Sequence, residues 1–142
     1  MAEFKGCART NYFRVKDEKA FLTMMQSVSA DDDSVDVWEK TIDGKKHFAF
    51  GSYSMNIGLR QHDEEGDDYI DTETFLLTLK CVVADDDAII ITEVGNENLR
   101  YLSAYATVIT SKAIRCLNLE TIAGFAAREA LGNPKWETTS NF

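Results

Sequence analysis

Apolar residues recur along the first third of the chain at two different spacings, and the spacing changes at Asp17. Asn11 to Val15 reads as a strand. Asp17 stands where an N-cap would begin a helix over Glu18 to Val28, whose apolar stripe is Phe21, Met24, Met25 and Val28. After a polar loop from Ser29 to Ser34, the segments Val35 to Ile42 and Lys45 to Tyr53 flank Asp43-Gly44, the two-residue turn that a hairpin prefers. That turn sets the register, with Ile42 opposite Lys45, Glu39 opposite Phe48 and Val37 opposite Phe50. Val35, Val37, Phe48 and Phe50 then share the core side, while Asp36, Trp38, Lys40 and His47 share the reverse.

Met55 to Arg60 continues as strand, and Gln61 to Asp68 reads as an acidic loop bending at Gly66. Asp71 or Thr72 caps a helix over Glu73 to Val83 that turns Phe75, Leu76, Leu79, Val82 and Val83 inward. Ala88 to Val94 carries three successive isoleucines, the pattern of a strand buried on both faces. Arg100 to Thr110 is a long strand with Leu102, Ala104, Ala106 and Val108 expected inward, and Ala113 to Leu117 is the last strand. A final helix starts at Asn118 or Leu119, aligns Leu119, Ile122, Phe125, Ala126 and Ala130, and stops at Gly132-Asn133-Pro134. The order of elements predicts a single α+β domain over residues 1–134, with a largely antiparallel sheet of five to six strands and about three helices. Residues 135–142 are expected as a loosely ordered tail.

At 142 residues and 44% hydrophobic content the chain can bury one sizeable core without a disulfide or a metal. Cys7, Cys81 and Cys116 are too widely spaced for a disulfide framework or a CxxC metal site, and are expected as reduced core thiols. His47 and His62 form no paired-ligand motif, so no metal and no cofactor is expected. Met1 to Lys5 lacks the basic and apolar regions of a secretion signal, and apolar runs fall short of a membrane span, which places the expected location in a bacterial cytoplasm.

Charge changes the picture most. Of 24 acidic residues, five lie between Asp31 and Glu39, seven between Asp63 and Glu73 and three at Asp85 to Asp87, in stretches free of Lys and Arg. The rest of the chain holds nine acids against 15 bases. Segregation of this kind creates a directed field that attracts a basic partner, and it excludes a direct nucleic-acid binder. The acidic runs lack the D-x-[DN]-x-[DN]-G spacing of a calcium loop. Neither a nucleophile motif nor a glycine-rich phosphate loop is present, so no catalysis is expected. Acids that repeat at about 6–7 Å along a strand face approximate a row of phosphates, which makes mimicry of DNA or electrostatic capture the functional reading. Its residues are Asp31, Asp32, Asp33, Asp36, Asp63, Glu64, Glu65, Asp67 and Asp68. Glu93, isolated among isoleucines, is expected to pair with Arg14 or Arg100 across the sheet.

Two passages, Asn11-Tyr12-Phe13-Arg14-Val15-Lys16-Asp17 and Glu93-Val94-Gly95-Asn96-Glu97-Asn98-Leu99-Arg100-Tyr101, carry a resemblance. They resemble a family of small bacterial proteins found on phages, plasmids and integrative elements. The resemblance implies a mobile-element context and a role similar to anti-CRISPR or antirestriction inhibitors; it supplies no site residues. The expected function is a non-enzymatic inhibitor of a bacterial defence nuclease complex, its partner a basic protein or ribonucleoprotein surface such as a CRISPR effector. The alternative is an immunity-type module covering the basic cleft of a toxin or enzyme. An enzyme would require Glu93, Arg100 and His47 to converge.

Overall fold

The hairpin expected around Asp43-Gly44 is present in the computed structural model, which describes residues 4–31, 33–99 and 101–138. Its strands are β3 (Asp36–Ile42) and β4 (Lys45–Ser52), in the register the turn dictates: Ile42 faces Lys45, Glu39 faces Phe48 and Val37 faces Phe50. Asp43 and Gly44 have φ of 51° and 75°, the left-handed pair that matches the twist of the flanking strands. Around this hairpin the chain builds β1 (Phe4–Thr10), β7 (Ile89–Glu97), β8 (Tyr101–Ile109) and β9 (Ile114–Asn118) into a six-stranded antiparallel sheet, ordered β3-β4-β1-β7-β8-β9. A second, three-stranded sheet is ordered β2-β5-β6, from β2 (Val28–Ser29), β5 (Gly58–His62) and β6 (Asp68–Asp71). With α1 (Glu18–Met25), α2 (Thr72–Val82) and α3 (Leu119–Leu131), the described residues form an α+β domain with three helices and nine strands.

The core lies on one face of the large sheet and is organised by phenylalanines. Phe13, Phe21, Phe48, Phe50 and Phe75 are all fully buried, and their rings meet at centroid separations of 5.1 to 6.0 Å, mostly edge to face. Phe21 belongs to α1 and Phe75 to α2, so both helices are docked onto the sheet through aromatic contacts. Asp17 caps α1 by accepting from the Ala20 N–H, and Asp71 caps α2 by accepting from the Thr74 N–H, as the sequence pattern requires. α3 opens on Asn118, which accepts from Glu120 and Thr121, and closes on Gly132 at φ 64°.

Several expectations are corrected. Asn11 to Val15 is not a strand; β1 precedes it, hidden because its inward residues Gly6, Ala8 and Thr10 are small or polar. The first helix ends at Met25, and Val28 is buried in β2 instead. Residues Gln61 to Asp68 are not one loop, since β5 runs through His62 and β6 starts at Asp68. In β7, Ile89 and Ile91 are buried but Ile90 is 39% exposed, because the reverse face of the sheet is not fully covered there. Leu102, Ala104, Ala106 and Val108 share that reverse face; the core side of β8 is Ile109, Thr107 and Tyr105, opposite Ile89, Ile91 and Glu93. Cys7, Cys81 and Cys116 are free and exposed rather than core thiols. No residue of α3 is buried, and Leu119, Ile122 and Phe125 of its expected inward stripe are exposed. Trp136 and Lys135 of the expected tail are tied to the end of α3 through Arg128 and Asn133; residues 139–142 lie outside the described residues.

Phe50 of β4 touches both Phe13, in the segment between β1 and α1, and the α2 residue Phe75, so it joins three parts of the chain. Phe50→Ala should cost about 3–5 kcal/mol, read from urea unfolding followed by circular dichroism, whereas Tyr53→Ala at an exposed position should change stability by less than about 0.5 kcal/mol.

Candidate functional site

The three acidic stretches turn out to have different occupations. Asp85 to Asp87 is a structural clamp. The backbone N–H of Arg14 donates to Asp87 Oδ2 at 2.9 Å, Arg14 Nη2 donates to Asp86 Oδ1 at 2.9 Å, and Lys16 Nζ lies 3.1 Å from Asp85 Oδ1. On the same segment the Asn11 amide donates to the Ala88 carbonyl at 3.0 Å and accepts from the Ile90 N–H at 2.7 Å. The Arg14 guanidinium holds the Asp86 carboxyl below its ordinary value of 3.8. These acids therefore pair with local bases and fasten one segment to another, Asp87 largely covered and Asp85 and Asp86 still exposed.

The other two stretches gather around the small sheet. Ser29 bridges Ser34 and the Ala30 N–H donates to the Asp33 carbonyl, making a tight turn that presents Asp31 and Asp33; Asp32, expected with them, lies outside the described residues. Asn56 Nδ2 donates to Asp31 Oδ2 at 2.8 Å and fastens that turn to the approach to β5. Across from it, β5 and β6 form a hairpin whose turn is organised by Asp63: its carboxylate accepts from the Glu65 and Asp67 N–H groups at 2.9 and 2.8 Å. An open groove of about 620 Å³ runs between the 30–34 turn and the strands of that hairpin. Asp31, Asp33 and Ser34 form one wall, and Asp68 and Tyr69 the other.

The groove is not purely anionic. Arg60 and His62 project into it from β5; Arg60 donates to Ser29 Oγ and to the Gln26 carbonyl, and His62 pairs with Asp68. Arg60 is thus consumed in joining the turn to the sheet. Glu64, Glu65 and Asp67, all exposed at the tip of the hairpin, have no ion pair among the described residues. They carry the field outward.

Asp36 stands apart from the groove. It lies on β3, on the reverse face of the large sheet, in a small cleft with Trp38, Arg9 and Gly51. Trp38 lies over Gly51, where a Cβ would come within 3.2 Å of its ring, and Arg9 stacks on it with the guanidinium carbon 4.7 Å from the ring centroid. The indole is held in place by packing.

Glu93 does not pair with Arg14, which is engaged by Asp86 and Asp87; Arg100, the other expected partner, lies outside the described residues. It is buried on the core face opposite Tyr105, whose phenol is pushed upward by burial and then by hydrogen bonding to the Glu93 carboxylate. His47 projects from the reverse face of β4, so it does not converge with Glu93. Among the described residues no three His, Cys, Asp or Glu side chains come together to hold a metal ion, and no helix is long and apolar enough to cross a membrane. Comparison with protein-family models, curated proteins and solved structures finds no match to this chain.

Sorting the acids by task generates two expectations. Asp87→Ala leaves the part-buried Arg14 N–H without its acceptor and the guanidinium with Asp86 alone, and should cost about 1–3 kcal/mol, while Glu65→Ala should lie within about 0.5 kcal/mol of the parent, both by urea unfolding. Asp71, held down by the Thr74 N–H, and Asp86, held down by Arg14, have folded values below 3.8, so their contribution to stability is complete above that pH and is lost as pH falls through the folded values. Below about pH 4 the melting temperature should therefore drop less steeply in Asp71→Asn and Asp86→Asn than in the parent, measured by thermal melts across a pH series.

Proposed function

We propose that this protein is a non-enzymatic inhibitor that occupies the nucleic-acid channel of a bacterial defence nuclease complex, an anti-CRISPR-like role, through the acidic lobe formed by the 30–34 turn and the β5–β6 hairpin. The observation that carries the reading is the placement of Asp31 and Asp33 opposite Asp68 across one groove, with Glu64, Glu65 and Asp67 extending beyond it. Carboxylates from two separate stretches of chain meet at one place, while the third stretch is absorbed by Arg14 and Lys16. A channel lined with Lys and Arg is the surface such a lobe complements, and the resemblance of two sequence motifs to mobile-element proteins points to CRISPR effectors as the class to test. The open, solvated groove lacks the enclosed walls that push carboxylate pKa values apart, which favours binding over acid–base chemistry.

Electrostatic attraction of this kind acts chiefly on the rate of encounter and weakens with salt. The substitution that tests it should touch only acids without a structural task, so Asp63 and Asp68 are left intact. A triple Glu64→Lys, Glu65→Lys, Asp67→Lys variant should keep its circular dichroism spectrum and lose at least about tenfold in inhibition of DNA cleavage across a panel of purified CRISPR effectors. Inhibition by the parent protein should also weaken from about 50 to about 300 mM NaCl. Unchanged inhibition by the variant overturns the acidic-lobe mechanism, and no inhibition of any effector overturns the target class.

A further inference from the structure

Along β7, Ile89, Ile91 and Glu93 are buried while the alternate residues Ile90, Thr92, Val94 and Asn96 are exposed, although the strand lies in the middle of the large sheet. Its neighbour β1 repeats the pattern, with Ala8 and Thr10 buried and Lys5, Cys7 and Arg9 exposed. The central strands are therefore covered on one face only. Strand registers extend the open face to both edges: Arg9 stands opposite Gly51 of β4, which stands opposite Asp36 of β3, and Ile90 stands opposite Val108 of β8, which stands opposite Arg115 of β9. Trp38 and Lys40 follow Asp36 at alternate positions, and Lys45 lies on the same side opposite Ile42.

Charge on this face is the reverse of the chain's. Its strand positions carry Lys5, Arg9, Lys40, Lys45 and Arg115, all exposed, against the single acid Asp36, so the face holds +4 on a chain of −9. None of the five cations makes an ion pair among the described residues. Acids meet the face at its borders, where Asp31 shares a hollow with Lys5 and Asp86 feels the charge of Lys45. The net charge that speaks against nucleic acid is thus an average over surfaces that the fold separates. Two further hollows lie on the face and share Cys7. One, of about 480 Å³, is mostly apolar, lined by Cys7, Val94, Leu102 and Ala104 together with Lys5 and Asn96. The other, of about 210 Å³, is bounded by the rings of Trp38 and Tyr53 together with Arg9 and Asp36. Lys5 and Arg9 stand about 13 Å apart along β1, on either side of Cys7.

We infer that this open face binds single-stranded DNA, with phosphates on Lys5 and Arg9 and unpaired bases in the two hollows. A strand that alternates negative charge with planar, weakly polar rings matches cations that each have a hollow beside them. Tyr53, 84% exposed, offers a ring on which a base of any identity stacks. Bases of a duplex are stacked and paired with one another and reach neither hollow, and a polyglutamate chain meets the cations but leaves the hollows empty. The apolar lining of the larger hollow favours thymine, whose methyl group uracil lacks, and so DNA over RNA.

The inference uses no residue of the acidic lobe and is tested apart from it. In fluorescence anisotropy at about 50 mM NaCl, a labelled oligo-dT of about 15 nucleotides should bind the full chain with a Kd below about 100 µM. Release of counterions from two to four phosphates should weaken that binding roughly 7- to 50-fold by about 200 mM NaCl. Lys5→Glu and Arg9→Glu, made separately and checked by circular dichroism, should each weaken it at least about fivefold. Lys19→Glu makes the same change in net charge on α1, which packs on the opposite face through Phe21, and should alter binding less than about twofold. Oligo-U of the same length should bind at least about threefold more weakly. The triple lysine variant of the acidic hairpin should bind oligo-dT no less tightly than the parent. Absence of binding, equal binding of oligo-U or of a duplex, displacement by polyglutamate at equal charge, or a loss in Lys19→Glu as large as in Lys5→Glu and Arg9→Glu overturns the inference.

Discussion

Residues 11 to 16 run along the edge of the core without belonging to either sheet, dipping into it at Phe13, and the rest of the fold depends on how that strap satisfies its backbone. Phe13 is fully buried, so its N–H and carbonyl cannot turn to water; both bond to Phe48 at 2.8 Å. Further along, the Lys16 N–H donates to the Val82 carbonyl and the Ala84 N–H donates to the Arg14 carbonyl. The strap thus bonds to β4 on one side and to the end of α2 on the other. Its side chains repeat the pattern, with Phe13 wedged among the rings of α1 and β4, and Arg14 gripped by Asp86 and Asp87.

The same strap explains why acidic content alone misleads as a guide to binding. A carboxylate that accepts a backbone N–H or faces a half-buried guanidinium is part of the architecture, however polar its surroundings look in sequence. Asp17, Asp63, Asp71 and Asp87 are of this kind. Those left over, Glu64, Glu65 and Asp67 above all, share one hairpin tip beside the groove. The asymmetry that matters is thus finer than a count of charges and corresponds to which carboxylates already have a donor.

How much of this was legible depended on whether a signal was local. The Asp-Gly turn dictated register over seven residue pairs because a two-residue loop leaves no slack, and both helix caps follow from Asp at fixed offsets. β1 was missed because a central strand under packed helices can be built from Gly6, Ala8 and Thr10, whose small size carries no periodic apolar signal. The facing of β8 was missed because alternating Ala and Val look core-like when the residues that do enter the core include Thr107 and Tyr105. The placing of the 30–34 turn and Asp68 on one groove depends on pairing between β2, β5 and β6, a non-local fact that no spacing along the chain encodes.

The strand order has a consequence for biosynthesis. β1 lies between β4 and β7, and Phe4 is paired with Glu97, so one side of β1 has no partner until about two thirds of these 142 residues have been made. At about 5–20 residues per second that wait lasts roughly 5–20 s. Through it the emerging polypeptide carries an open hydrogen-bonding edge, and the large sheet closes by joining segments far apart in sequence rather than by growth outward from β1.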